Sequence, residues 1–166
     1  MLGFYENFPI SVQKITRFAA TVSSKTIQKA LVQCLKRLNS ENLRLEDVTS
    51  PSTFDCTVIF EFGIADGDTF NYIDSEEAWK VLGEIQKASL RIMDLFCAVR
   101  YYKEHGGRKF PLKFDYYMLR LIFNPGSIEV LIFHERGPRH LPPEDLINLI
   151  IERVNKLFPR KVLKAV

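Results

Sequence analysis

The sequence predicts an α+β fold, in which an antiparallel sheet of four to five strands packs with a long helix, one helix in the N-terminal half and one C-terminal helix. Three observations support this prediction. Two pairs of β-branched and aromatic segments flank turn residues. Two stretches, 24–38 and 142–158, repeat apolar residues at the three-and-four spacing of a helix. Nothing strongly breaks a third helical pattern from residue 74 to residue 105. The 166 residues, 46% hydrophobic and 26% charged, are predicted to form a single domain.

The N-terminal third is predicted to contain one strand and one helix. The segment 11–22 is rich in residues that favour strands. A helix is predicted over 24–38, because Ser23 or Ser24 can cap it. Its apolar stripe is formed by Ile27, Ala30, Leu31, Cys34, Leu35 and Leu38. The polar stretch 39–53 contains Pro51 and is predicted to be a connection with at most one short turn.

A first hairpin is predicted between residues 56 and 73. The segment 56–62 is β-branched and aromatic, and 70–73 is its predicted return strand. Asp66, Gly67 and Asp68 form the turn signal between them. The spacing predicts a hairpin loop longer than two residues.

A long helix is predicted from Asp74 to the glycines that follow His105. Asp74 and Glu77 have the spacing of a capping box. A helix of about thirty residues would be on the order of 45 Å long. Its apolar residues divide into two stripes, which predicts two partners: the sheet, and either a further helix or another subunit.

The clearest hairpin consists of 116–123, the loop 124–127 and 128–135. Pro125 followed by Gly126 is typical of a type II turn. If Phe123 lies opposite Ile128, one face is apolar and predicts the core side of the sheet: Tyr117, Leu119, Leu121, Phe123, Ile128, Val130, Ile132 and His134. The other face mixes apolar and charged residues: Tyr116, Met118, Arg120, Ile122, Glu129, Leu131, Phe133 and Glu135. Either a second layer of protein covers that face, with Arg120 paired to Glu129 or Glu135, or it is a partly exposed platform.

The segment 142–158 is predicted to be the last helix. Pro142 and Pro143 suit its first turn, and Pro159 ends it. Its broad apolar stripe either closes the core or contributes to oligomerisation. The basic tail after it is predicted to be mobile.

Composition argues against a membrane span and against export. No run of about eighteen apolar residues occurs, and the N-terminus lacks the order of a secretory signal. Cys34, Cys56 and Cys97 have neither metal-site nor disulfide spacing, which predicts buried thiols in a reducing, cytoplasmic compartment.

Charge is segregated along the chain, although its net value is only +3. Residues 1–45 carry seven basic and two acidic residues, whereas residues 46–99 carry three basic and eleven acidic residues. The segments 100–133 and 134–166 each have a net charge of +3. Such segregation is typical of a basic binding face opposite an acidic side, of complementary contacts in an oligomer, or of solvated helix faces.

The sequence carries no catalytic or cofactor motif. The chain has no P-loop, no dinucleotide-binding glycine pattern, no zinc-protease motif and no nucleophile elbow. It is therefore predicted to be non-enzymatic and to bind no cofactor or metal. An acid–base site at His134 and Glu135 is a weaker alternative, since no nucleophile accompanies them.

Basic and aromatic residues alternate in two stretches that flank the second hairpin, 101–120 and 133–140. Aromatic faces for stacking and cations for phosphates are what a single-stranded nucleic acid requires. Tyr116, Met118 and Phe133 are predicted to contact bases. Arg108, Lys109, Lys113, Arg120, Arg136 and Arg139 are predicted to hold phosphates, with His140 completing the site. The function predicted is sequence-tolerant binding of single-stranded DNA, with RNA also open. The alternative is a protein-interaction or assembly subunit that uses its amphipathic sheet face and helices.

The second hairpin, the basic segment HERGPRHLPPED after it and the closing helix LINLIIERVNKLF resemble the archaeal ThermoDBP-related proteins. This resemblance extends over most of the chain as a general pattern. It implies a small α+β domain that binds single-stranded DNA and a homo-oligomer assembled through helices.

Overall fold

The computed structural model of the protein describes residues 1–49 and 55–166. These residues form nine strands and four helices. The strands are β1 (Lys14–Ala20), β2 (Asn42–Arg44), β3 (Thr57–Asp66), β4 (Thr69–Tyr72), β5 (Ile92–His105), β6 (Arg108–Pro111), β7 (Asp115–Asn124), β8 (Ser127–Arg136) and β9 (Leu163–Ala165). The helices are α1 (Ser24–Leu38), α2 (Leu45–Val48), α3 (Ser75–Lys87) and α4 (Pro143–Lys156).

All the strands belong to one sheet, and the pairs between them are antiparallel. The order across the sheet is β2-β3-β5-β7-β8-β1-β9, with β4 also paired to β3 and β6 also paired to β5. The prediction of a four- to five-stranded sheet with a long helix was therefore wrong. The sheet is about twice as large, and the helices are short.

The predicted long helix over 74–105 is instead a helix followed by the longest strand. Helix α3 begins after Asp74, whose side chain caps it, and ends at Lys87. Residues from Ile92 onward form β5, which lies between β3 and β7 in the sheet. The glycines expected to end the helix occupy the turn between β5 and β6.

The register predicted for the second hairpin was confirmed, but each strand is one residue longer at both ends, and Asn124 pairs with Ser127, which leaves a loop of two residues where four were predicted. Phe123 pairs with Ile128 near the turn, and Tyr117 pairs with His134 near the other end. The predicted core face is buried apart from the half-buried His134. A β-bulge between Tyr116 and Tyr117 shifts the register, so Tyr116 lies opposite Arg136.

The N-terminal strand, the helix over 24–38 and the first hairpin were also predicted correctly in kind. Ser23 caps α1 by accepting a hydrogen bond from the backbone of Thr26. The loop of the first hairpin is shorter than predicted, because Asp66 pairs with Thr69 and leaves two residues between them. The predicted connection contains β2 and α2, and Pro51 lies outside the described residues.

Helices α1, α3 and α4 cover one face of the sheet and bury the core. The apolar stripe of α4 is buried within the chain, on α1 and β8, so this helix closes the core. The three cysteines are buried and free, as predicted. The prediction of a mobile C-terminal tail was wrong, because Leu163–Ala165 form β9 and pair with β1. In the part of the chain that the structure describes, no helix is long and apolar enough to cross a membrane.

Candidate functional site

The face of the sheet opposite the helices, here called the outer face, carries a continuous row of aromatic rings. The row comprises Tyr5, Phe70, Phe96, Tyr116 and Phe114, in that order. Successive ring centroids are 4.8, 5.7, 5.2 and 5.1 Å apart, and neighbouring rings are tilted by 46–55°. Each ring is half-buried, so part of it faces solvent. We call this set the aromatic row.

Strand alternation explains why these rings share a face. Phe96 lies between the buried Leu95 and Cys97 on β5, so its side chain projects to the opposite side of the sheet. Tyr116 and Phe114 are two residues apart and project the same way. Tyr116 was predicted as a site residue and Phe96 was not, because β5 was assigned to a helix. Between Ile92 and Tyr101, only Ile92, Phe96 and Arg100 are not fully buried, so this strand has no alternation in polarity that could have located Phe96 from the sequence.

Two arginines lie over rings at the Phe114 end of the aromatic row. The guanidinium carbon of Arg136 is 5.7 Å from the centroid of Tyr116, and that of Arg100 is 4.9 Å from the centroid of Phe114. Arg100 is also held by Glu61, with Nε 2.6 Å from Oε1. The nearest carboxylate oxygen of Glu135 is 3.8 Å from Arg136, and the Arg136 side chain is 69% exposed. Arg136 is therefore the more available cation.

Arg120 was predicted to hold a phosphate, but its guanidinium group binds partners within the protein. Its Nε and Nη2 donate to the two carboxylate oxygens of the fully buried Asp94, at 2.7 and 2.8 Å. Nη2 also donates to the backbone oxygen of Tyr5, and the guanidinium lies over the rings of Phe4 and Phe8. The partner is neither Glu129 nor Glu135, although a layer of protein does cover this arginine.

That layer is the N-terminal segment 1–10, which lies across part of the outer face. Its backbone bonds to Ala65 and Asp94 through Gly3, and to the Asp94 carboxylate through the Tyr5 amide. Both alternatives for the outer face are thus realised in part. The segment covers Arg120, while the Phe96 to Phe114 end of the aromatic row remains outside it.

Arg108 and Lys109 lie on the hairpin formed by β5 and β6, which extends beyond the end of β3. Their partners across the hairpin are His105 and Glu104. Both basic residues are exposed. This hairpin presents cations at the same end of the sheet as Phe114.

The elbow, residues 137–141 between β8 and α4, is organised by the buried carboxylate of Asp115. Asp115 accepts the backbone N–H of Arg139 at 2.7 Å and that of His140 at 3.2 Å. It also accepts the hydroxyl of Tyr101 and bonds to Nε2 of His134 at 2.8 Å. Four partners around one buried carboxylate give the elbow a defined conformation.

His134, Arg139 and His140 lie toward the helical side of the sheet. Arg139 donates from Nε to Nδ1 of His134 at 3.2 Å, so Nε2 of His134 carries the hydrogen that is donated to Asp115. The ring of His140 meets the edge of the buried Tyr101. Both ring nitrogens of His134 are thus occupied by partners within the protein.

Burial changes the pKa values of the side chains behind the site. Burial, with a further contribution from the hydrogen bond to Asp115, raises the pKa of Tyr101 far above its usual value. Burial likewise raises the pKa of Tyr117, whose hydroxyl donates to the backbone of Leu141. Both hydroxyls stay protonated at physiological pH and act as donors that hold the elbow.

No group of three potential metal ligands occurs within residues 1–49 and 55–166.

A groove of about 560 Å³ lies where the aromatic row meets the elbow. Its lining residues are Lys113, Phe114, Tyr116, Arg136, Gly137 and Pro138. The lining thus combines apolar rings with two cations and contains no acidic residue.

The structure distributes the ten predicted site residues over four places. The outer face and its groove hold Lys113, Tyr116, Met118, Phe133 and Arg136. The hairpin of β5 and β6 holds Arg108 and Lys109, the helical side of the elbow holds Arg139 and His140, and the N-terminal segment covers Arg120. Met118 and Phe133 lie directly opposite each other on β7 and β8 and are half-buried.

No family model, no curated protein and no solved structure matches this chain.

Proposed function

We propose that the chain is a non-enzymatic protein that binds single-stranded nucleic acid, in the first place single-stranded DNA, with little dependence on sequence. The observation that carries this proposal is the aromatic row on the outer face. Every base has a flat face, and stacking on aromatic side chains contributes about 1–3 kcal/mol per base. A duplex hides those faces, so the row favours a single strand.

The cations around the Phe114 end of the row suit the phosphates of such a strand. Arg136 and Lys113 border the groove, and Arg108 and Lys109 extend from the neighbouring hairpin. The phosphate contacts proposed here therefore omit Arg120, which stabilises the fold. They also omit Arg139 and His140 as direct contacts, because these residues lie on the helical side of the elbow.

Replacing Tyr116 with Leu tests this proposal, because leucine keeps apolar packing but removes the ring. The expected result is a loss of about 5- to 150-fold in affinity for a labelled single strand, measured by fluorescence anisotropy. Trp79→Leu is the matched control. Trp79 is 80% exposed but lies on α3, on the helical side of the sheet. Equal affinity of the two folded variants would refute the proposed surface.

A second candidate function is assembly with protein through the other half of the outer face. Ile15 is 60% exposed and lies directly opposite the half-buried Leu131 of β8. Phe133 is on the same face, two residues further along β8. An apolar patch of this kind fits a protein interface. Ile15→Glu would shift the molecular mass measured by light scattering if copies of the chain associate through this patch.

The resemblance to the ThermoDBP-related proteins supports membership in that group and a homo-oligomeric state. The three buried, free cysteines support a reducing, cytoplasmic environment. Light scattering over a range of protein concentrations tests the homo-oligomer.

A further inference from the structure

We infer that the groove beside Tyr116 is a subsite for one nucleotide unit, whose base lies against the apolar rings and whose phosphate meets Lys113 and Arg136. This inference rests on the proposed function and deepens it. It assigns one part of the outer face to a single base and its phosphate, and it predicts that a free mononucleotide binds there.

The walls of the groove suit a planar ring. Phe114 and Tyr116, with ring centroids 5.1 Å apart, line the groove together with Pro138 of the elbow. Its volume of about 560 Å³ lies in the usual range for small-molecule sites. Because the two rings are tilted by 55° to each other, a base would stack on one ring and meet the other at its edge, as in sites that take unstacked bases.

The charges of the groove suit a phosphate. Lys113 and Arg136 both border it, and none of the six lining residues is acidic. Within the described residues Lys113 forms no ion pair, and Arg136 has only a long one of 3.8 Å to Glu135. Both cations are therefore available to an anion, and two cations beside two rings match a base that carries a phosphate.

The elbow makes this groove a preformed site. Gly137 has a φ of +117°, and a Cβ at this position would overlap the Asp115 carboxylate and the backbone oxygen of Phe114. Only glycine lets the elbow approach β7 so closely. Because Asp115 holds the following residues through their amides, Pro138 stays in place without a ligand. Preformed walls lower the entropic cost of binding.

The test is a titration of the full-length, isotope-labelled protein with adenosine monophosphate, followed in two-dimensional NMR spectra. Adenosine and inorganic phosphate are titrated separately. We expect saturable shifts at Lys113, Tyr116 and Gly137, with adenosine and phosphate each binding at least fivefold more weakly than the mononucleotide. Arg136→Gln should weaken mononucleotide binding about tenfold. Arg160→Gln, a cation beyond α4, should leave it unchanged.

The outcomes separate this inference from the proposed function. If a single strand binds the aromatic row but the mononucleotide causes no saturable shifts in the groove, the nucleotide subsite is refuted while the proposed function stands. If phosphate alone binds as well as the mononucleotide, the groove is an anion site and the inference also fails. If the mononucleotide binds there but no strand binds, the subsite stands and the strand-binding function fails.

Discussion

Arg120 and Asp94 form a buried ion pair between two central strands, and this pair also anchors the N-terminal segment. The Asp94 side chain is fully buried and that of Arg120 is 19% exposed. Arg120→Leu would leave the carboxylate without its cation. We expect a loss of about 3 kcal/mol in the free energy of unfolding, measured by urea denaturation.

The matched control for Arg120 is Arg100→Leu on the neighbouring strand. Arg100 and Glu61 also form a close pair, but both side chains are about one third or more exposed. An exposed pair of this kind contributes about 1 kcal/mol or less to the free energy of unfolding, so Arg100→Leu should lower it by no more than that. Equal losses in the two variants would contradict the structural role given to Arg120.

The structural role of Arg120 could not be predicted from the sequence. Its partner Asp94 belongs to the segment that was assigned to a helix, so only Glu129 and Glu135 were considered. By contrast, Tyr116 and Arg136 were predicted as site residues, and the structure brings them together. Tyr116 and Arg136 lie on one hairpin whose register the sequence predicts, whereas Arg120 contacts Asp94 on a strand taken for a helix and Tyr5, 115 residues away.

The thiol of Cys34 gives a pH dependence of stability. Burial raises its pKa from the usual 9.0 to about 11. Between these values the unfolded chain loses a proton that the folded chain keeps, so the unfolded state binds fewer protons. The stability contribution is present below pH about 9 and is lost as the pH rises toward about 11. Urea denaturation at pH 8 and pH 10 should show this fall, and Cys34→Ala should reduce it.

At the scale of elements, the turns at Gly126 and Gly137 require glycine for different reasons. Gly126 has a φ of +75° in the loop between β7 and β8, and a Cβ added there would have nothing within 4 Å. We expect Gly126→Ala to lower the free energy of unfolding by about 1–2 kcal/mol through backbone strain alone. Gly137→Ala should cost more, about 3 kcal/mol, because the Asp115 carboxylate must also move away from its donors. Thermal or urea denaturation measures both, and an equal cost would contradict the close approach of the elbow to Asp115.

The hairpin of β5 and β6 gives a prediction on salt dependence. If Arg108 and Lys109 contact phosphates, replacing both with Gln lowers the slope of log affinity against log salt by about 0.7 per lost contact. Anisotropy titrations at several salt concentrations measure the slope. Replacing Arg160 and Lys161 with Gln changes the net charge equally at a distant place and is the control. An equal change of slope in both double variants would refute contact by the hairpin.

The two major hairpins could be predicted because their turns are marked locally and their strands alternate in polarity. Strand β5 could not, since it lies in the middle of the sheet and is apolar on both faces. Met93 and Leu95 face the core, while Phe96 and Ala98 face the outer side. Such a strand also satisfies the spacing of a helix, and neither Gly nor Pro separates it from α3. The error removed Phe96 from the predicted site.

At the scale of the whole molecule, the two faces of the sheet have different roles. The helices cover one face and supply the core, which leaves the outer face for the aromatic row and the N-terminal segment. The strands at the two ends of the sheet, β2 and β9, have three residues each, which limits pairing with other chains at the edges. Binding is therefore assigned to a face of the sheet and not to its edges.

Titration of the unmodified protein with nucleic acid is the decisive experiment for the proposed binding face. A labelled single strand of about 20 nucleotides is followed by anisotropy at low and moderate salt, beside the matching duplex and an RNA of the same sequence. We expect salt-sensitive binding that favours the single strand over the duplex at least tenfold. Absence of binding at low salt, or equal affinity for the duplex, would contradict a role of the aromatic row in holding unpaired bases.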